Sequence, residues 1–264
     1  MYTHARGRKL AHPWEGKTEP FKMVGNLYFT GTYQGSTHII DTGDGLILID
    51  PAYSKTLYLV IDGIYKLGFS PKDIKYIINT HWHGDHVEAT DALADLSGAK
   101  TLIGEADAPY LEEKGYFTPD ILVKDGDVLK LGNTEITFMH TPGHTKGTLS
   151  FFFDIEEGGK TYRAGMFGGA GANALTNTFS TYYVGARRDY FASIEKLRGE
   201  KVEIMIGNHT WNNDTLGKGE LLRKGCMENP FIDKECGEWN RFLDFCEGRC
   251  RNLEEKEGAE DVNA

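Results

Sequence analysis

The sequence predicts a layered α/β protein, and three observations carry that prediction. Apolar runs of strand length recur along the chain, rich in β-branched and aromatic residues. Stretches of helical character fall between them. Gly and Pro punctuate the joins, as in FSPKD (69–73) and HTPGHT (140–145).

The predicted elements follow in order. The first strand-like run is GLILID (45–50), and SKTLYLVIDGIYKLG (54–68) is the first helical segment. KYIINT (75–80) reads as a strand, VEATDALADLSG (87–98) as a helix and KTLIG (100–104) as a strand. EITFMH (135–140) and TLSFFFD (148–154) are strands rich in Phe, Ile and Thr. RDYFASIEKLRG (188–199) is a helix, VEIMIGN (202–208) a strand, and GEWNRFLDFCEGRC (237–250) a closing helix. Residues 1–19 are expected to be an N-terminal extension and 20–250 a single domain, its C-terminal helical part starting near 214. The stretch 251–264, ending EEKEGAEDVNA, is acidic and is expected to be a disordered tail.

Composition narrows the function. The chain has 264 residues, 40% of them hydrophobic and 12% aromatic, enough for a substantial core. A net charge of −10 argues against a nucleic-acid partner and against an anionic membrane surface. No apolar run approaches transmembrane length. The basic start, MYTHARGRKLAHPWEGK, lacks an apolar segment, so a cytoplasmic location is expected, with an exported, processed form as the alternative. Cys226, Cys236, Cys246 and Cys250 contain no CxxC pair. They read as buried or surface thiols rather than disulfides or zinc ligands. The partner is expected to be a small-molecule substrate.

The most informative stretch is NTHWHGDH (79–86), with three histidines and an aspartate between His81 and His86. By chance an HxHxDH string in a chain of this composition arises on the order of one time in a thousand. Its placement matters as much as its content. KYIINT runs into His81, EITFM leads to His140 and then His144, and VEIMIGN runs into His209. Three strands thus deliver a histidine at or just past their C-terminal ends, where layered α/β folds build sites. His81 and His83, two apart, can aim at one ion from an extended turn. Asp85 and His86 can aim at a second. Each ion then lacks a ligand, and His144 and His209 are available from other loops. Imidazole and carboxylate are zinc donors, and catalytic zinc keeps an open position for water.

HWHGDH matches the HxHxDH signature of the metallo-β-lactamase superfamily, and the chain resembles that family from about residue 20 to 210. NLYFTGTYQGSTHIIDTGDGLILID (26–50) resembles its opening hairpins and the strand ending in a buried aspartate, here Asp50. SGAKTLIGEADAPYLEE (97–113) resembles the helix–strand–helix after the motif, and DGDVLKLGNTEITFMHTPGHTKGTLSF (125–151) the loop with the third histidine. HTPGHTKGTLS is similar to the third subclass of metallo-β-lactamases. The resemblance implies an αββα sandwich, two mixed β-sheets flanked by helices. It also implies two zinc ions per chain, one held by His81, His83 and His144, the other by Asp85, His86 and His209. Asp50 is then expected to support the metal-bound histidines.

One stretch departs from the family. In TYRAGMFGGAGANAL (161–175), Gly165 and Met166 stand where most superfamily hydrolases carry a metal-bridging aspartate. Met166, Phe167 and Gly168 are expected to replace hydroxyls that grip a β-lactam carboxylate in the resembling enzymes. The chain is therefore expected to be a di-zinc hydrolase. A metal-bridging hydroxide would open a β-lactam or a similar cyclic amide or ester, with Asp85 as proton acceptor. A lactone or thioester hydrolase is the alternative within the class. Outside it stand an iron-dependent oxidoreductase of the same fold and a non-catalytic metal-binding protein. The oxidoreductases carry the bridging aspartate, and the di-iron group a glutamate in place of His83, so both features speak against them.

Further expectations attach to other residues. Lys146 and Arg187 are candidate anchors for a substrate carboxylate. Trp82, Tyr33, Tyr182, Tyr183 and Trp211 are candidates for the pocket mouth. His38 is expected to pack within its strand, and His140 to support the site or its strand. His4 and His12 are expected to be solvated terminal residues.

Overall fold

The computed structural model describes residues 12–258. Two sheets stack face to face, with helices on both outer faces. The first has seven strands in sequence order: β1 (Phe21–Val24), β2 (Leu27–Phe29), β3 (His38–Asp41), β4 (Leu46–Ile49), β5 (Ile74–Ile78), β6 (Lys100–Gly104) and β7 (Ile121–Val123). It is antiparallel from β1 to β4 and parallel from β4 to β7. The second contains β8 (Val128–Leu131), β9 (Thr134–His140), β10 (Leu149–Glu157), β11 (Lys160–Met166) and β12 (Ile204–Ile206), in the order β12-β11-β10-β9-β8. Only the β11–β12 pair is parallel.

The first sheet is crossed by α1 (Leu57–Lys66), a single turn α2 (Gly84–Val87), α3 (Thr90–Ser97) and α4 (Ala108–Lys114). The second carries α5 (Ala186–Leu197) and α7 (Gly237–Glu257), while α6 (Thr215–Arg223) packs its Leu216 and Leu222 on the central core beside Phe21 of β1. This is the αββα sandwich with two mixed sheets that the resemblance implied.

Strand alternation explains why the layers hold. On β4, Ile47 and Ile49 face the other sheet, while Leu46 and Leu48 face α1 and α3. On β10, Phe151 and Phe153 enter the central core, while Phe152 points to α5 and α7. Strands buried on both faces read as continuous apolar runs, so GLILI and SFFF show no alternation in sequence.

One expectation needs correction. The acidic stretch from residue 251 does not begin as a tail, because α7 continues through Glu257. Cys250 is buried, Leu253 packs on the core, and Glu257 pairs with the buried Arg187. Those contacts outweigh the stretch's polar composition; residues 259–264 lie outside the described residues. Within the expected N-terminal extension, Gly16 and Thr18 bond to the domain. Gly16 is buried and its carbonyl accepts from Tyr33 N, while Thr18 Oγ1 donates to Gly31 O. His4 lies outside the described residues, and His12 sits edge-on to Trp14.

The hairpin β10–β11 was not read from the sequence. Its turn is Gly158-Gly159, both at positive φ (58° and 74°), closing the pair Glu157↔Lys160. Among the described residues, no helix is long and apolar enough to cross a membrane. All four cysteines are free thiols, with Cys226 exposed and the others buried.

Candidate metal centre

The site lies at the sandwich edge where four strands end. β4 leads into Asp50, and β5 leads through Asn79 and Thr80 to His81. The turn after β9 carries His144, and β12 leads to His209. Main-chain contacts stitch the two sheets together there. Leu149 N donates to Thr80 O at 2.9 Å, Ser36 N donates to Asn208 O at 3.0 Å, and Gly35 pairs with His209 in an isolated bridge.

Six side chains converge as two trios, His81–His83–His144 and Asp85–His86–His209. Within each trio the donor atoms lie within 4.8 Å of one another. In the first, His144 Nε2 is 3.0 Å from His83 Nδ1 and 3.1 Å from His81 Nε2. In the second, Asp85 Oδ2 is 3.8 Å from His86 Nε2 and 3.9 Å from His209 Nε2.

The opposite ring nitrogens decide which way the lone pairs point. His86 Nδ1 is 2.8 Å from Asp50 Oδ2, His144 Nδ1 is 2.6 Å from Gly171 O, and His209 Nδ1 is 2.9 Å from Gln34 O. Carbonyls and carboxylates only accept, so each Nδ1 carries the hydrogen and each Nε2 presents a lone pair inward. His83 reaches Thr181 Oγ1 with its outer nitrogen at 3.2 Å, and His81 Nδ1 lies 3.1 Å from Thr80 Oγ1.

Burial favours the neutral form of two of the rings. It drives His144 down to about 4 against the pull of its bond to Gly171. Burial first, and then the neighbouring histidines His86, His144 and His83, hold His81 well below the usual imidazole range. A neutral imidazole is the form that ligates a metal. Tetrahedral zinc with Zn–N of about 2.05 Å places ligand nitrogens about 3.3 Å apart. The spacing of the first trio is close to that, and its donors fit such an ion.

Asp50 is almost fully buried. It accepts from Thr80 N, from Thr80 Oγ1 and from His86. It sits at φ 51°, with Ala52 at φ 69°, so the chain turns through the left-handed region to aim this carboxylate at His86. Asp107 plays a matching part that the sequence reading missed. It accepts from Trp82 N, Thr145 Oγ1 and Gly147 N, tying the loop of His81 and His83 to that of His144. Burial pushes its carboxyl up to about 7 despite those three bonds. Its only signal was a strand-end position, after KTLIG.

The centre opens into a cavity of about 1240 Å³. Trp82 and Tyr33 line it, and Trp82 stacks on Tyr110. Trp211 also lines it, stacked on His209 at 4.4 Å between centroids. Tyr182 and Tyr183 do not, because they pack on the core beneath α5 and α7. Arg187 is not a substrate anchor. It is buried, and its guanidinium binds Leu175 O, Gly258 O and Glu257. Lys146 is exposed, lies over the Tyr183 ring and is outside the cavity lining. His140 turns to Lys146 O at 2.7 Å, away from the centre. His38 is fully buried and bonded to Gly207 O.

The 165–168 segment also differs from expectation. Met166 and Phe167 are buried in the two cores, and Gly168 has Leu149 O where a Cβ would stand. None of them lines the cavity, so they cannot occupy the place of substrate-gripping hydroxyls. Hydroxyls do reach it from Ser180 and Thr181.

A sequence model of the metallo-beta-lactamase superfamily matches residues 30–209. The chain belongs to the metallo-beta-lactamase superfamily. Among solved members of that superfamily, it is similar to the native FEZ-1 metallo-beta-lactamase of Legionella gormanii, at 28% identity and a TM-score of 0.84. That likeness covers 92% of this chain and 98% of the other. BJP-1, a subclass B3 metallo-beta-lactamase of Bradyrhizobium japonicum, is 31% identical with a TM-score of 0.80, covering 92% and 94%. By sequence the chain is 35% identical over 217 residues to a hydroxyacylglutathione hydrolase of Pelagibacter ubique, covering 74% of this chain and 82% of the relative. A hydroxyacylglutathione hydrolase of Chelativorans is 37% identical over 94 residues, but the match spans only 36% of this chain and 34% of that relative. Both histidine-containing trios fit the subclass B3 motif of the superfamily.

Proposed function

We propose that this superfamily member is a di-zinc hydrolase acting on a β-lactam or a related cyclic amide or ester. The observation that carries the reading is the pair of trios facing one large cavity, with three of the five imidazoles fixed in the ligating tautomer. His81, His83 and His144 would hold one ion, and Asp85, His86 and His209 the other. Bound zinc supplies a water of lowered pKa and a Lewis acid for the substrate carbonyl.

The chain's own residues do the rest. Asp85 Oδ2, between His86 Nε2 and His209 Nε2, is the carboxylate placed to accept a proton from the attacking water. Asp50, Gly171 O and Gln34 O hold the rings in register. Trp82 and Trp211 wall the centre and limit bulk water around it. Thr181 and Ser180 offer hydroxyls to a substrate carboxylate.

Thioester hydrolysis is the second reading, favoured by the similarity to hydroxyacylglutathione hydrolases. An iron redox role has less support, because β11 ends at the buried Met166 with no carboxylate to bridge two metals. The test is steady-state hydrolysis by zinc-loaded protein of a chromogenic cephalosporin, a carbapenem, a lactone and a thioester. Zinc-dependent turnover of a β-lactam supports the first reading. Cleavage of the thioester or lactone alone replaces it with the second, and no turnover of any of them defeats the hydrolase proposal.

A further inference from the structure

We infer that the wall of the cavity built by α7 selects substrates carrying an anionic group remote from the bond to be cleaved. This rests on the hydrolase reading and adds the substrate's second end. The cavity, at about 1240 Å³, exceeds the roughly 300–1000 Å³ that suffices for a drug-sized ligand. The two trios need only the few atoms around a carbonyl, so the remainder has another use.

Glu238, Arg241, Phe242, Phe245, Cys246 and Arg249 all line the cavity. Their spacing of one, three or four residues places them on one face of α7. Phe242 and Cys246 are buried and form a floor, while Phe245 is 59% exposed on the flank. The Arg249 guanidinium lies 5.7 Å from the Phe245 ring centroid.

Charge pairing separates these arginines from their neighbours. Arg198 and Arg251 both pair with Glu247, and Lys218 neutralises Glu238. Among the described residues, neither Arg241 nor Arg249 has a carboxylate within ion-pair distance. Two such guanidiniums, one on either side of an exposed phenylalanine, put two cationic groups on the cavity wall. Guanidinium forks match carboxylates in two-point geometry, and the ring between them takes an apolar linker. The substrate class is therefore an ester, thioester or amide with an apolar arm that ends in a carboxylate.

The experiment measures binding rather than turnover, so it stands apart from the hydrolase reading. Zinc-loaded protein is titrated with S-benzylmercaptosuccinate and with its uncharged diamide, following tryptophan fluorescence or heat. The dicarboxylate is expected to bind at least about tenfold more tightly, with the preference shrinking at high salt. In the R241Q/R249Q double variant that preference should disappear, and Phe245→Ala should weaken both probes by a similar factor. Equal binding of the two probes by the wild-type protein overturns the inference. A preference that survives in the double variant also overturns it, because the carboxylates would then be held by the metal centre.

Discussion

Asp50 Oδ2 lies 2.8 Å from His86 Nδ1, and both side chains are about 1% exposed. The same carboxylate accepts from Thr80, whose hydroxyl touches His81. One buried aspartate thus orients a ring in each trio.

Substituting that residue as Asp50→Asn tests the coupling. Asn tolerates the left-handed backbone that Asp50 adopts, so the turn should survive. Loss of the acceptor on His86 is expected to weaken zinc binding about 10- to 100-fold, first at the Asp85–His86–His209 site. Chelator competition followed by elemental analysis reads this. Unaltered retention of both ions would show that Asp50 is only a turn residue.

His209→Ala should loosen one ion and leave the other. His209 belongs to the second trio and is held by Gln34 O, while the first trio has no contact through it. Zinc content after dialysis should fall from two toward one per chain. Loss of both ions together would contradict the partition of ligands.

Gly171→Ala probes the opposite trio. A Cβ there would stand 3.0 Å from His144 Cε1 and 2.7 Å from Asn173 Oδ1. Asn173 would have to swing aside and His144 to give by a few tenths of an ångström, a fraction of the 1 Å misplacement that costs about a hundredfold in rate. The expected result is a fall of roughly threefold to tenfold in turnover with little change in melting temperature. Wild-type turnover would mean that His144 is not positioned by this contact.

The buried His38 predicts an acid-side effect on stability. Burial holds it down to about 4, below the 6.5 of an unfolded histidine. Between those values the unfolded chain binds the extra proton, so stability falls as pH drops from 6.5 toward 4 and this loss levels off below 4. The full effect is about 3 kcal/mol. In denaturant melts of metal-free protein, His38→Gln should show a shallower acid limb by up to that amount. Parallel limbs would place the proton elsewhere.

Thiol accessibility gives a simpler check. Cys226 is exposed, Cys236, Cys246 and Cys250 are buried, and burial pushes the Cys246 thiol up to about 12. A thiol reagent should titrate one group in the native protein and four after unfolding. Four fast groups in the native state would contradict the packing of α7.

The six donor residues were legible because four of them sit within six positions and the other two follow within four residues of strand-like runs. KTLIG was read with its own boundaries, since nothing but a buried strand suits that run before a Gly. Asp107, Gly171 and Thr181 were not legible. Each acts through a contact made only after folding, across at least 25 residues of chain. Arg187 misled for the complementary reason: its charge suggested solvent or substrate, but Glu257, 70 residues away, receives it inside the protein. The cavity wall on α7 was hidden because an amphipathic helix does not reveal what its half-exposed flank will face.

The central claim is that the two trios together hold two ions that make one hydrolytic centre. Metal-free protein titrated with zinc, with the hydrolysis rate of the best substrate followed against zinc bound per chain, tests it most directly. The rate should rise to a plateau at two zinc ions per chain, and in His209→Ala the plateau should fall. A full rate reached at one ion per chain, or hydrolysis that does not depend on zinc, would contradict it.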